Sequence, residues 1–147
     1  MKTSLPRKQK GAAAIEFALV FGIFFAVFYG LISYTLPLLL MQSFNQAALE
    51  AVRQAMAVDP VAAADAYPTK VTERAKDTVM TQLDWIPTSF QFSRDFVSAT
   101  YTGTTLNVTI SYPTNLLYSV FPVLVVPGIG TVPNLPANLS ARSSLQF

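Results

Sequence analysis

The chain contains no cysteine and no histidine. The first absence removes a thiolate nucleophile and any disulfide framework, the second removes an imidazole base, and together they remove every zinc site built on Cys or His ligands. Missing disulfides leave the redox compartment open, because an exterior domain can fold on core packing alone. Charge is scarce as well, at 12% of 147 residues against 52% apolar residues. The scarcity is local: no residue from Phe17 to Met41 is charged.

That uncharged run predicts a membrane span. At about 1.5 Å per residue it is roughly 37 Å of helix, against a hydrocarbon core of about 30 Å, so it crosses with some tilt or with one end among the headgroups. A buried helix in a soluble core is the alternative. The remainder of so short a chain could hardly surround a run rich in Phe, Leu and Val on every side. Lys2, Arg7, Lys8 and Lys10 precede the run with no acidic residue among them. Short basic flanks stay cytoplasmic, which places the C-terminal part outside. Without those four cations the formal charge of +2 becomes −2, so the basic balance is a topology signal and predicts no nucleic-acid partner.

The chain divides into a basic leader (residues 1–11), a transmembrane helix (12–41), an amphipathic helical region (42–83) and an exterior β-rich region (84–147). Phe44, Ala47, Ala48, Ala51, Val52, Ala55 and Met56 recur at helical spacing, with Asn45, Gln46, Glu50, Arg53 and Gln54 opposite. No breaker separates them from the span. One helix from about Gly11 to Val58 is therefore predicted, kinked at Pro37, which offers no N–H to the carbonyl of Ser33. Asp59-Pro60 suits an N-cap and first helical position, and Tyr67-Pro68 interrupts again. Val71, Ala75, Val79 and Leu83 form the stripe of a second helix, expected to pack on the small residues of the first. Lys70 with Glu73 and Arg74 with Asp77 are expected as i, i+3 pairs on its solvated face.

Beyond Pro87 the period becomes two. Leu106, Val108, Ile110 and Tyr112 alternate with polar residues as a half-buried strand. Phe90 to Tyr101 is its expected partner through a Thr102-Gly103-Thr104 connection, and Leu139, Ala141, Ser143, Leu145 and Phe147 mark a closing antiparallel strand. The fold class is thus α+β, a long helix, a second helix and a small antiparallel sheet. The apolar run Val120 to Val132 is cut by Pro122, Pro127, Gly128 and Gly130 too often for a second span. It is expected as a loop packed on the sheet, or, if exposed, as a protein interface.

The informative string opens the apolar run: Lys10-Gly11-Ala12-Ala13-Ala14-Ile15-Glu16-Phe17. It resembles the class III signal peptides of type IV pilin-like proteins, with a short basic leader, a Gly at the cut and a Glu at the fifth mature position. Gly11 to Val20 looks like the subset found in TadE-like minor pseudopilins of the tight-adherence (Flp) pilus. The resemblance implies a pilin-like fold, cleavage between Gly11 and Ala12 by a prepilin peptidase, and assembly through Glu16 and Phe17 with other pilins and pseudopilins at an inner-membrane platform. It also implies surface adhesion as the role of the pilus. Major pilins of such systems are little more than the helix, so the exterior region implies a minor component.

The residues support the same string on physical grounds. Glycine permits close backbone approach by a processing enzyme. A new α-amino group at Ala12 would lie four residues before Glu16, on the same helical face. A carboxylate at this depth costs up to about 3 kcal/mol at the bilayer centre and less near its edge, so it favours a cationic partner. In an assembly the resemblance implies that this partner is the free N-terminus of a neighbour, which would set axial register. The alternative is that Glu16 reaches the headgroups and neutralises Lys10 or a lipid amine. Phe17, Phe21, Phe24, Phe25 and Phe28 are read as lipid-facing bulk, with a helix-to-helix ridge as the alternative.

Catalysis finds no support. Asp59 with Asp65, or Asp84 with Asp95, are not spaced for a shared pocket, and no nucleophile elbow is present. No enzyme, cofactor or metal is predicted. The competing reading is a permanently anchored periplasmic adaptor that never enters a fibre and binds partners through the Val120 to Val132 run.

Overall fold

The computed structural model describes residues 8–128 and 130–146, and for Lys8–Lys10 and Ala64 the backbone alone. Lys2 and Arg7 of the leader and Phe147 of the closing strand lie outside the described residues. The first helix, α1, runs Lys8–Ala55, about 72 Å at a rise of about 1.5 Å per residue. It passes through Pro37 without ending. Ser33 Oγ, one turn earlier, donates to the carbonyl of Tyr29 at 2.6 Å, and Thr35 Oγ1 to that of Leu31 at 2.7 Å. Both hydroxyls are thus satisfied within an otherwise apolar helix.

Asp59 caps the short α2 (Pro60–Ala63), its Oδ1 accepting from the N–H groups of Val61 at 2.8 Å and Ala62 at 3.3 Å. This is the role expected of an Asp-Pro pair. A 3-10 turn (Ala64–Ala66) leads into α3 (Tyr67–Gln82), with Pro68 among its first helical positions. The predicted stripe is buried in full: Val71, Ala75, Val79 and Leu83 face the core, and α3 packs on α1.

The sheet is three-stranded and antiparallel, with β2 (Thr105–Pro113) between β1 (Val97–Tyr101) and β5 (Asn138–Gln146). Leu106, Val108, Ile110 and Tyr112 of β2 face inward, and Val97↔Ile110, Ile110↔Ala141 and Tyr112↔Leu139 are paired across the strands. α1 lies over β2 and β5 while α3 lies over β1. The core of this α+β head is therefore the second half of α1, namely Leu40, Phe44, Ala47, Ala48, Ala51, Val52 and Ala55, clasped by α3 and one face of the sheet. Alanines at the centre of that helix let α3 and the strands approach closely.

Three expectations are corrected. The partner strand begins at Val97 rather than near Phe90. Two 3-10 turns (Thr88–Phe90 and Arg94–Phe96) precede it, joined through Gln91 in the left-handed region at φ 52°. The aromatic alternation of Phe90, Phe92 and Phe96 mimics a strand but serves a cluster, in which Phe92 and Phe96 pack on Phe44 and Tyr112.

The charges of α3 also pair differently. Glu73 meets Lys76 and Arg94, Asp77 meets Arg94, and Arg74 Nη2 donates to Gln54 Oε1 at 3.1 Å. Arg94 arrives on the turn before β1 and, with Lys76 at i, i+3 from Glu73, takes the places expected of Lys70 and Arg74.

Finally, the run from Val120 to Val132 is not packed on the sheet. It ends α4 (Thr114–Val120) and then forms a separate hairpin of β3 (Leu124–Val126) and β4 (Gly130–Val132), with Val125 70% exposed. Gly128 and Gly130, at φ 82° and 100°, supply the left-handed backbone that the turn needs. Among the described residues β3 and β4 pair with each other and with no strand of the main sheet.

Candidate functional site: the bare arm of the first helix

The two halves of α1 differ in what covers them. Every residue from Gly11 to Phe28 is exposed, Tyr29 and Gly30 are half-buried, and Ser33 is the first buried residue. The uncovered arm, Gly11 to Ile32, is about 33 Å long, close to the thickness of a hydrocarbon core of about 30 Å. α1 is long and apolar enough to cross a membrane, and its most apolar window, of mean hydropathy 2.3, has no residue buried within the protein. A helix in a soluble core would be covered there.

The four residues singled out by sequence all lie in the first turns of this arm. A Cβ added at Gly11 would meet nothing within 4 Å. The Gly11–Ala12 bond lies one turn into α1, directly after the four N–H groups that have no partner within the helix. Ala12 and Glu16 stand one turn apart on one face, both exposed. Phe17, 70% exposed, begins a row of stacked rings: Phe17 to Phe21 at 5.9 Å, Phe21 to Phe25 at 6.4 Å and Phe25 to Tyr29 at 6.4 Å. Phe24 and Phe28 stack beside it at 5.9 Å. The arm therefore offers a continuous aromatic ridge and one carboxylate, and among the described residues no hydrogen bond or ion pair joins Glu16 to the head.

The carboxylates considered for catalysis are occupied structurally or dispersed: Asp59 caps α2, while Asp65 and Asp95 sit in separate 3-10 turns. Among the described residues no cluster of three or more metal-binding side chains occurs. Sequence reasoning missed Tyr29 and Tyr34. Tyr29 Oη donates to the carbonyl of Pro122 at 2.7 Å, and Tyr34 Oη accepts from the N–H of Asn134 at 3.0 Å. The available signal was that they are polar-tipped rings near one end of an apolar run, where tyrosines gather at membrane interfaces.

An apolar helical arm, bare in its first half and rooted by its second half in a small α+β head, defines a protein of the helix-anchored class. The family model for TadE-like proteins matches residues 11–53, so the chain is similar to that family along α1. The match runs past the string Gly11 to Val20 to include the helical segment that forms the core of the head. No curated protein and no solved structure matches the chain.

Proposed function

We propose that the chain is a minor pseudopilin of a tight-adherence pilus, acting structurally in assembly, initiation or at the tip and so supporting adhesion. It is made with its basic leader, held in the bacterial inner membrane with its N-terminus cytoplasmic and its head periplasmic, and cut between Gly11 and Ala12 by a prepilin peptidase. The freed amine of one subunit then meets Glu16 of its neighbour and fixes their axial register. Phe17 and the ridge it starts exchange lipid for adjoining helices on the assembly platform. The observation that carries this reading is the bare arm itself. An anchor needs an apolar helix, but neither a carboxylate nor a glycine at its start.

The intact mass of the protein recovered from membranes tests the processing. A chain beginning at Ala12 is expected, and a stable full-length chain in cells with a working prepilin peptidase overturns it. Glu16→Ala is expected to insert normally yet to abolish co-isolation with other pilus components. Normal piliation in that variant would remove the register role.

A further inference from the structure

The β3–β4 hairpin is an apolar surface that the pilin reading leaves without a role. Its position follows from how the head is laid along α1. Arg74 meets Gln54, Gln82 borders Gln46 and Leu49, and the segment Trp85 to Pro87 lines a groove with Leu36, Leu39 and Leu40, so the chain descends toward the arm as it leaves α3. On the other side Leu135 and Leu139 line one groove with Tyr34, Leu38 and Met41. The hairpin continues that descent, with Asn134 bound to Tyr34 and Pro122 to Tyr29. Tyr29 lies on the bare arm, about one turn inside its end at Ile32.

Charge is sorted between the two sides of the head. No charged residue occurs between Asp95 and Arg142, whereas residues 50–95 hold twelve. Arg53, Arg74 and Asp77 are at the end far from the arm, while Asp84, exposed beside Trp85, is nearer to it. The hairpin end presents Val120, Leu124 and Val125 to solvent, with Trp85 51% exposed at the level of Leu36 to Leu40. The backbone of the hairpin is internally paired, Leu124 with Val132, Val125 with Thr131 and Val126 with Gly130. That pairing satisfies the inner edges only, so the outer edges of both strands need headgroup or water partners and the hairpin suits the boundary of the bilayer rather than its hydrocarbon core.

We propose that the β3–β4 hairpin is seated at the headgroup–acyl boundary of the bilayer that α1 crosses, on the side of the head, with the side chains of Leu124 and Val125 reaching the upper acyl segments and its open backbone edges at headgroup level. The occupant is lipid because the surface is continuous with the bare arm, is tied to it at two tyrosines and carries no charge that would have to be desolvated. Tyr29 and Tyr34 are the polar-tipped aromatics at the boundary, and Trp85, level with Leu36 to Leu40, is on its headgroup side. The protein is thus held at two points. The helix sets its depth and the hairpin sets the rotation of the head about the helix axis.

The inference rests on α1 spanning the membrane, and the test separates the two. Because the chain has no cysteine, single substitutions Val125→Cys, Phe24→Cys and Lys70→Cys can each carry a nitroxide label in the full-length protein, reconstituted in phosphatidylethanolamine and phosphatidylglycerol vesicles. All three sites are exposed, so the label leaves the core intact. The accessibility to oxygen relative to a water-soluble nickel chelate is expected to be several-fold higher at position 125 than at 70, approaching that at 24. A label at 125 as open to nickel as at 70, with 24 still in lipid, overturns the hairpin seat alone. Nickel access at both 24 and 125 overturns the span itself. A label at 125 shielded from oxygen and nickel alike assigns the surface to a protein neighbour and also overturns the proposal.

Discussion

The arm of α1 and the segment that follows it are one helix under two rules. From Gly11 to Ile32 the large residues Phe, Leu, Val and Ile point in every direction and none is covered. From Gln42 to Ala55 the exposed face is polar apart from Leu49, while the covered face narrows to Phe44, Val52 and four alanines, all buried. Bulk on all sides is tolerated only where the surroundings are as apolar as the side chains. A stripe of small residues is useful only where another part of the protein comes close enough to fill it. The change of pattern therefore marks where the solvent of the helix changes from lipid to protein.

Paired substitutions break or sharpen that comparison, and the largest difference is expected for truncation. Leu106 is fully buried against the second half of α1. Leu106→Ala is expected to destabilise the head by about 2–5 kcal/mol, read as a shift of the urea midpoint of the full chain in mild detergent. Leu19→Ala, on the arm, is expected to leave that midpoint unchanged. Equal effects at both sites would mean that the arm and head do not unfold as separate units. Next in size is overpacking. Ala51 has no exposed surface between α1 and its neighbours, so Ala51→Leu is expected to cost about 1–3 kcal/mol. Ala13→Leu, on the bare arm, should cost the head nothing in the same measurement.

Much of this division was legible in the sequence because both rules are periodic and local. The uncharged run gave the arm, helical spacing gave Phe44 to Ala55 and Val71 to Leu83, and the period of two gave β2 and β5. The sequence also drew attention to Gly11, Ala12, Glu16 and Phe17, to which the structure adds exposure and a shared helical end. What escaped depends on contacts between distant residues. Tyr29 meets Pro122 and Tyr34 meets Asn134 across most of the chain. α4 has seven residues, too few for a helical period to declare itself. The hairpin could not be distinguished from a packed loop because Leu124 to Val126 is apolar on both faces, which leaves alternation nothing to report.

A smaller effect is expected from the polar contact inside the head. Tyr112 Oη is buried and donates to the carbonyl of Phe90 at 2.8 Å, holding the 3-10 turn over the aromatic cluster. Tyr112→Phe keeps the ring but strands that carbonyl, at an expected cost of about 1–3 kcal/mol. The variant also has a pH signature. Burial raises the pKa of the Tyr112 hydroxyl above its ordinary value. Its contribution is therefore present in full below the unfolded-state pKa of about 10 and is lost as pH rises through the raised folded-state value. Unfolding midpoints of wild type and variant should converge in that alkaline window. A gap that stays constant through it would mean that the phenol does not titrate with unfolding.

The smallest expected effect concerns the charges at the far end of the head. Arg94 binds Asp77 and Glu73 together and so ties the turn before β1 to α3. The hydrogen bond to Asp77 first, and that to Glu73, hold its guanidinium pKa above the ordinary value, against a lowering by desolvation. Guanidinium and carboxylates all remain substantially exposed, so water and salt compete for them and an exposed pair adds little to stability. Arg94→Ala is accordingly expected to shift the unfolding midpoint less than Tyr112→Phe does. The shift should shrink further at high salt, whereas that of Leu106→Ala should not. If Arg94→Ala instead matched Leu106→Ala and ignored salt, the turn before β1 would have to be counted with the apolar core. The charged end would then owe its structure to the residue that sequence spacing failed to pair.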